Sequence, residues 1–266
     1  MNTAPILFKW PGGKRALIKH INPLIPKTFN RYYEPFVGGG ALFFTLSPFE
    51  AILSDSNPEL INCYQQVKDH PDLVIAALST MQNTKEDYYR VRENIPKDNI
   101  AKAARLIYLM KLSFNGLHRV NKDGKFNVPY GDNMEAQLVE AEKIYAASKL
   151  LSLAQLEIGD FEDIANKAQE GDFIYFDPPY TVAHKNNGFV KYNAHIFSWK
   201  DQIRLSQLAR NLVLRGCRVV ISNADHPSIE GLYNDFEMQR VSRSSAIAAS
   251  QKFRKSITEC IFYNKE

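Results

Sequence analysis

The chain has 266 residues, 45% of them hydrophobic and 23% charged, with a net charge of +4. That is enough chain for one large domain, or a domain with a sizeable insertion, and the composition excludes a disordered, collagenous or disulfide-stapled protein. The mild basic excess permits a polyanionic partner without demanding one. No run approaches the ~18 apolar residues of a membrane span, and Met1 to Pro5 has no charged segment leading into an apolar one, so neither an anchor nor a signal peptide is expected. Cys63, Cys217 and Cys260 stand far apart without metal-binding spacing, which predicts reduced thiols in a cytoplasmic protein. Cys217 and Cys260 lie in apolar runs and read as small buried hydrophobes.

In chain order, Phe8-Lys9-Trp10-Pro11-Gly12-Gly13-Lys14 comes first. It is not a phosphate loop, because no glycine stands five positions before Gly13 and Arg15 replaces the Ser or Thr that would hold magnesium. What remains is a Pro-Gly-Gly turn between Trp10 and Lys14, suited to a ligand approached by backbone. Residues 31–44 then run from an aromatic strand through Gly38, Gly39 and Gly40 into an apolar helix, as in the first βα turn of a nucleotide-binding sheet. Phe43 replaces the third glycine of the dinucleotide fingerprint, which argues against a pyrophosphate here. A second strand, Ala51 to Ser54, ends at Asp55. That acid can accept from ribose hydroxyls, cap a helix starting at Pro58, or do both.

Residues from about 60 to 112 show helical spacing, with Ile61, Tyr64, Val67, Leu106, Leu109 and Met110 as the apolar face. The polar stretch Asn83 to Asn99 reads as a helix followed by a loop. From Phe114 to Asp132 aromatics alternate with Arg, Lys and Asn around the turn Lys122-Asp123-Gly124-Lys125, which predicts a β-hairpin. Such a surface can stack on bases and neutralise phosphates, or be a plain exposed hairpin. A helix over about 135–151 and a strand Leu156 to Gly159 follow, ending at Asp160 and Phe161. This pair can bracket an adenine ring or start a helix near Glu162.

The apolar run Phe173 to Phe176 reads as a buried strand that Asp177-Pro178-Pro179-Tyr180 stops at once, since neither proline can donate to a ladder. The result is a rigid loop with an acid and an aromatic at a strand's carboxyl end, where open α/β sheets bind ligands. A polar loop from Thr181 to Ser198 is long enough for a lid. A helix over about 200–215, a strand Cys217 to Ser222 and a closing strand Ser256 to Tyr263 complete the reading. Arg240, Arg243, Lys252, Arg254 and Lys255 fall in what reads as a solvated basic loop.

Four blocks in this order carry a resemblance over nearly the whole chain: Lys9 to Lys14, Glu34 to Gly40, Phe114 to Pro129, and Asp177 to Tyr180. Together, with Asp55 and Asp160 interleaved, they resemble the Dam-type DNA adenine-amino methyltransferases of the D12 class, in the alpha arrangement. The resemblance implies an α/β, Rossmann-like methyltransferase sheet formed by residues 1–60 and 145–266, with a mainly helical DNA-recognition insertion, residues 61–144, carrying the hairpin. It implies S-adenosylmethionine as methyl donor, no metal, double-stranded DNA as partner and a monomer. Trp10, Lys14, Phe36, Gly38, Asp55, Asp160, Phe161 and Asp177 would hold the cofactor. Asp177, Pro178 and Tyr180 would be catalytic, and Lys9, Phe114, Asn115, Leu117, Arg119, Asn127 and Pro129 would meet DNA, as in enzymes acting on GATC. Two departures stand out: Phe114 replaces a frequent tyrosine, and Asp132 replaces an arginine of some members.

The chemistry agrees with that implication. An adenine amino nitrogen is a poor nucleophile because its lone pair is delocalised into the ring. Two acceptors facing its hydrogens, the Asp177 side chain and the Pro178 carbonyl, would favour a pyramidal nitrogen. Tyr180 can stack on a base extruded from the duplex. Glutamine-amide methyltransferases usually carry Asn before Pro-Pro-Tyr and lack the 114–129 block, and cytosine-amino enzymes usually carry Ser there. A DNA-binding protein that has lost catalysis is the non-enzymatic alternative, and a longer GAT-containing site is the alternative target.

Overall fold

A computed structural model describes residues 4–181, 197–244 and 256–265. Most of the expected lid between Thr181 and Ser198, and Lys252, Arg254 and Lys255 of the basic segment, lie outside the described residues.

Seven strands form one mixed sheet: β1 Tyr32–Glu34, β2 Ala51–Asp55, β3 Ala154–Ile158, β4 Phe173–Phe176, β5 Arg218–Ala224, β6 Glu237–Ser244 and β7 Ser256–Tyr263. Their order is β3-β2-β1-β4-β5-β7-β6. β1 runs parallel to β2 and β4, and β4 parallel to β5, whereas β7 is antiparallel to both β5 and β6. This is a Rossmann-like α/β sheet whose order reverses between β1 and β4, the point at which such sheets place their ligands. The parallel strands are short apolar runs, and β4 is buried throughout, as expected of strands covered on both faces.

One expectation fails here. Arg240 does not sit in a solvated loop but in β6, which pairs with β7 along its length. The segment is held by charge as well as by the ladder, because the Arg240 guanidinium pairs with Asp225 at 3.1 Å and with Glu230. Its neighbour Val241 is buried, whereas most of the strand's described side chains are exposed, which is why it reads as a loop from sequence.

The chain divides into two compact units. One comprises residues 14–36, 48–54 and 159–266. Its core packs Tyr33, Ile174, Phe176, Val219, Ile221 and Phe262 of the strands with Phe161, Leu205 and Leu208 of the helices. Asp172, fully buried at the start of β4, accepts from the Arg31 amide at 3.1 Å, the Arg31 guanidinium at 3.0 Å and the Gln169 amide at 2.8 Å. It thereby ties the start of β4 to the start of β1.

The other unit, residues 1–13, 37–47 and 55–158, is mainly helical. The predicted helical stretch resolves into Pro58–Asp69, Pro71–Ser79, Lys85–Glu93 and Asn99–Leu112, and Ala141–Leu151 follows. The side chains of Asn57, Thr84 and Asp98 cap three of these helices, as short polar residues do at a helix start. Tyr64, Val67, Leu78, Tyr88, Leu106, Tyr108 and Leu109 are buried between them.

The expected hairpin is short: the chain reverses around residues 122–125, with antiparallel bridges of Val120 with Phe126 and Ser113 with Tyr130. The Asn121 amide donates to the Lys125 carbonyl at 2.8 Å and the Asn127 amide to the Arg119 carbonyl at 3.0 Å. The Asn121 side-chain oxygen closes the turn by accepting from the Asp123 and Lys125 amides at 3.0 and 2.9 Å, as short polar side chains do in turns.

Asp172→Ala should lower stability by about 1–3 kcal/mol, because it removes a buried, charged acceptor that serves three part-buried donors. Urea denaturation measures this directly.

Candidate active site

The β4 to β5 register pairs Phe176 with Ile221, which brings the next residues, Asp177 and Ser222, side by side. The Ser222 hydroxyl donates to Asp177 Oδ1 at 2.8 Å, and the Lys14 ammonium meets the same oxygen at 2.8 Å. Tyr175 reaches the Ser222 hydroxyl at 2.9 Å. Lys14 also lies 4.9 Å from the centre of the Tyr180 ring. Lys14, Asp177 and Tyr180 are thus brought together as expected, with Pro178 buried beside them.

Burial raises the Asp177 carboxyl above its ordinary range, and the Lys14 charge pulls it back down. Burial likewise raises the Tyr180 hydroxyl, with the Glu259 and Asp177 carboxylates adding to the shift. Ser222 and the fully buried Glu259 are not found from sequence. Their only signal is a polar residue at an inward position of an apolar strand.

In the same unit, Phe36 stacks on Phe161 at 5.3 Å and 28° and meets Phe197 edge-on at 5.5 Å. Asp160 caps the helix Phe161–Ala165 by accepting from the Glu162 amide at 2.9 Å. It also pairs with Arg204 at 2.7 Å. Arg204, missed from sequence, binds Glu162 and Asp201 too, and its guanidinium lies 4.9 Å from the Phe161 ring centre. Within a polar helix face nothing marks it.

The mainly helical unit holds Trp10, Gly38 and Asp55 together. Gly38 has φ +45°, and a Cβ there would stand 2.8 Å from Trp10 Cδ1, so the indole lies directly on the glycine. The Gly38 amide donates to Asp55 Oδ2 at 3.2 Å, and the Asn57 amide to Oδ1 at 3.0 Å. The cap of the following helix is therefore Asn57 rather than Asp55. Burial raises the Asp55 carboxyl, and these backbone donors oppose the rise.

The residues expected at DNA also share this unit. Lys9, Phe114, Asn115, Arg119 and Pro129 are exposed, and Leu117 and Asn127 half-buried. Arg119 Nε donates to Asn127 Oδ1 at 2.7 Å, and the Phe114 amide to the Pro129 carbonyl at 2.9 Å. A Cβ on Gly116 would stand 3.0 Å from Lys9 Cβ. Asn115 takes a left-handed φ of 56°. Among the described residues, Asp225, Glu230 and Cys260 bring metal-type donors together, but Arg240 already neutralises both carboxylates.

The family model for D12 class N6 adenine-specific DNA methyltransferases matches residues 10–247. The chain therefore belongs to that family and is an adenine-specific DNA methyltransferase. It is 42% identical to the type II methyltransferase M1.LlaDCHI of Lactococcus lactis subsp. cremoris, over 96% of this chain and 94% of that protein. It is 36% identical to the type II methyltransferase M.MjaIII of Methanocaldococcus jannaschii, over 99% of this chain and 100% of that protein. It is 32% identical to the DNA adenine methylase of Escherichia coli (strain K12), over 96% and 93%. All three buried cysteines are free, and among the described residues no helix is long and apolar enough to cross a membrane.

Lys14→Met removes the charge that opposes the burial of Asp177. The carboxyl then titrates at still higher pH, so the acid limb of kcat/KM should move upward. A pH–rate profile of the variant against the parent enzyme measures the shift.

Proposed function

We propose that the enzyme takes its methyl group from S-adenosylmethionine and delivers it to the 6-amino nitrogen of an adenine turned out of double-stranded DNA, within GATC. The observation that carries this reading is the Asp177 loop, held by Lys14 and Ser222 at the end of β4. With Oδ1 committed to those two donors, Oδ2 is the oxygen left to accept one amino hydrogen. The Pro178 carbonyl lies beyond the last strand residue, so it can accept the other. The two hydrogen bonds keep the nitrogen lone pair out of the ring and aimed at the incoming methyl group. Tyr180 offers its ring face to the extruded base. Holding the reacting atoms in line supplies much of the acceleration. A strong general base is unnecessary, because the nitrogen loses its proton after transfer.

The residues present fit the cofactor. The Gly38 turn at positive φ packs against the Trp10 indole, and the Asp55 carboxylate beside it suits ribose hydroxyls. Trp10, Gly38 and Asp55 would hold the sugar and its neighbourhood, Phe36, Asp160 and Phe161 the adenine, and Lys14 and Asp177 the reacting end. When bound, S-adenosylmethionine supplies an electrophilic methyl on a sulfonium; no metal has a role in this reading. The insertion at residues 61–144 reads the target. Arg119, Leu117 and Pro129 meet bases with Asn127 supporting Arg119, Lys9 takes the leading guanine, and Phe114 and Asn115 wedge into the duplex. The enzyme acts as a cytoplasmic monomer on this reading.

Asp177→Ala should abolish methyl transfer while duplex binding survives, read by tritium transfer and by electrophoretic mobility shift. Full activity in that variant would sink the assignment. Arg119→Ala should relax target choice by about 1–3 kcal/mol for each base that the guanidinium no longer reads, measured as relative kcat/KM on GATC and single-base variants. Methylating plasmid DNA and mapping the modified adenines tests the target: modification confined to GATC supports the reading, and a longer site replaces it.

A further inference from the structure

His118 stands between Leu117 and Arg119, yet its side chain turns away from the exposed surface they present. Its imidazole stacks on the Trp10 indole at 4.7 Å and 26°, and meets Phe126 edge-on at 5.6 Å. The Nε2 atom is buried and has no hydrogen-bond partner among the described residues. Burial lowers the imidazole pKa to about 4, so the ring is neutral at physiological pH. A buried polar atom without a partner costs stability. A leucine or phenylalanine would fill the same space without that cost.

The indole it covers is the one lying on Gly38, and the Gly38 amide holds Asp55. Trp10 also packs its Cβ against Gly39, and Tyr64 donates to the Gly38 carbonyl at 2.6 Å. A continuous path of packed groups therefore runs from the 117–127 segment through His118 and Trp10 to the Gly38 turn and Asp55. All of it lies in one compact unit. Phe126, on the far side of His118, is the chain neighbour of Asn127, which holds Arg119. A shift of this segment on a duplex would move the imidazole, and the indole it stacks on is also in contact with Gly38.

We propose that His118 is a positioning residue that couples engagement of target DNA to cofactor affinity, by clamping Trp10 onto the Gly38 turn. This rests on the reading that Gly38 and Asp55 hold S-adenosylmethionine and that residues 114–129 read DNA. Linkage makes the coupling reciprocal: bound cofactor tightens target binding by the same factor.

The chain has two tryptophans, so in a Trp199→Phe background Trp10 is the sole indole and reports on its own environment. S-adenosylhomocysteine, which cannot react, is titrated by fluorescence with and without a duplex carrying the mapped methylation site. The duplex should tighten binding about five-fold or more. His118→Phe keeps a stacked ring and should keep that ratio, whereas His118→Ala should bring it to one and shift Trp10 emission to the red. Equal affinities with and without duplex in the Trp199→Phe parent, or an unchanged ratio in His118→Ala, would overturn the proposal. If the His118→Ala variant is unfolded by circular dichroism, His118→Gln, which keeps polarity without an aromatic stack, takes its place with the same expectation. If Asp55→Asn binds S-adenosylhomocysteine as the parent does, the cofactor reading fails and takes this proposal with it. A ratio of one in His118→Ala with Asp55 still essential supports both; an unchanged ratio with Asp55 essential overturns the coupling alone.

Discussion

The pair between Lys14 and Asp177 is the constraint on which the candidate site at the end of β4 turns. Lys14 is only 6% exposed and Asp177 18%, so neither charge is well solvated. Burying either alone would be costly, and burying both is tolerated because each satisfies the other at hydrogen-bond distance. The pairing also decides geometry. It uses one carboxylate oxygen, with Ser222 on the same atom, and fixes the direction in which the other points. Lys14 lies far from β4 in sequence, so only the fold brings the two partners together.

A second polar layer surrounds that pair. Glu34 accepts the Tyr32 hydroxyl at 2.8 Å, Tyr175 reaches Ser222, and Glu259 lies near Tyr180. Their carboxylates and hydroxyls sit in a region with the low dielectric of a protein interior, where each hydrogen bond is stronger and each unmet one costlier. Such an arrangement is rigid when complete. On the proposed reading, it would present a preset pattern of acceptors to an amino group with little reorganisation.

In the helical unit the logic is different. Helices with regular caps supply a stiff base, and the 113–131 segment on it is irregular. It is held by isolated bridges and a few backbone bonds, and Phe114 and Asn115 are exposed at its start. Phe114 is 40% exposed, an aromatic surface of the kind on which a base can stack.

The sequence by itself determined the strands β1, β2, β3, β4, β5 and β7, the helical character of the stretch from Pro58 to Leu112, and the placing of Asp177 at a strand end. Local signals encode these: apolar runs, helical periodicity, capping residues and prolines that cannot join a ladder. The boundaries were less legible. β6 is hidden because arginines on a strand look like a solvated loop until Asp225 and Glu230 are seen beside them. Asp123-Gly124 marks the turn of the hairpin but says nothing about how few residues pair beyond it. Only the tertiary structure decided that Ser222 and Glu259 stand at Asp177 and Tyr180, that Arg204 clamps Asp160, and that His118 lies on Trp10. Each of these contacts joins residues distant in sequence, and strand register or side-chain packing, which no local pattern records, is what brings them within reach.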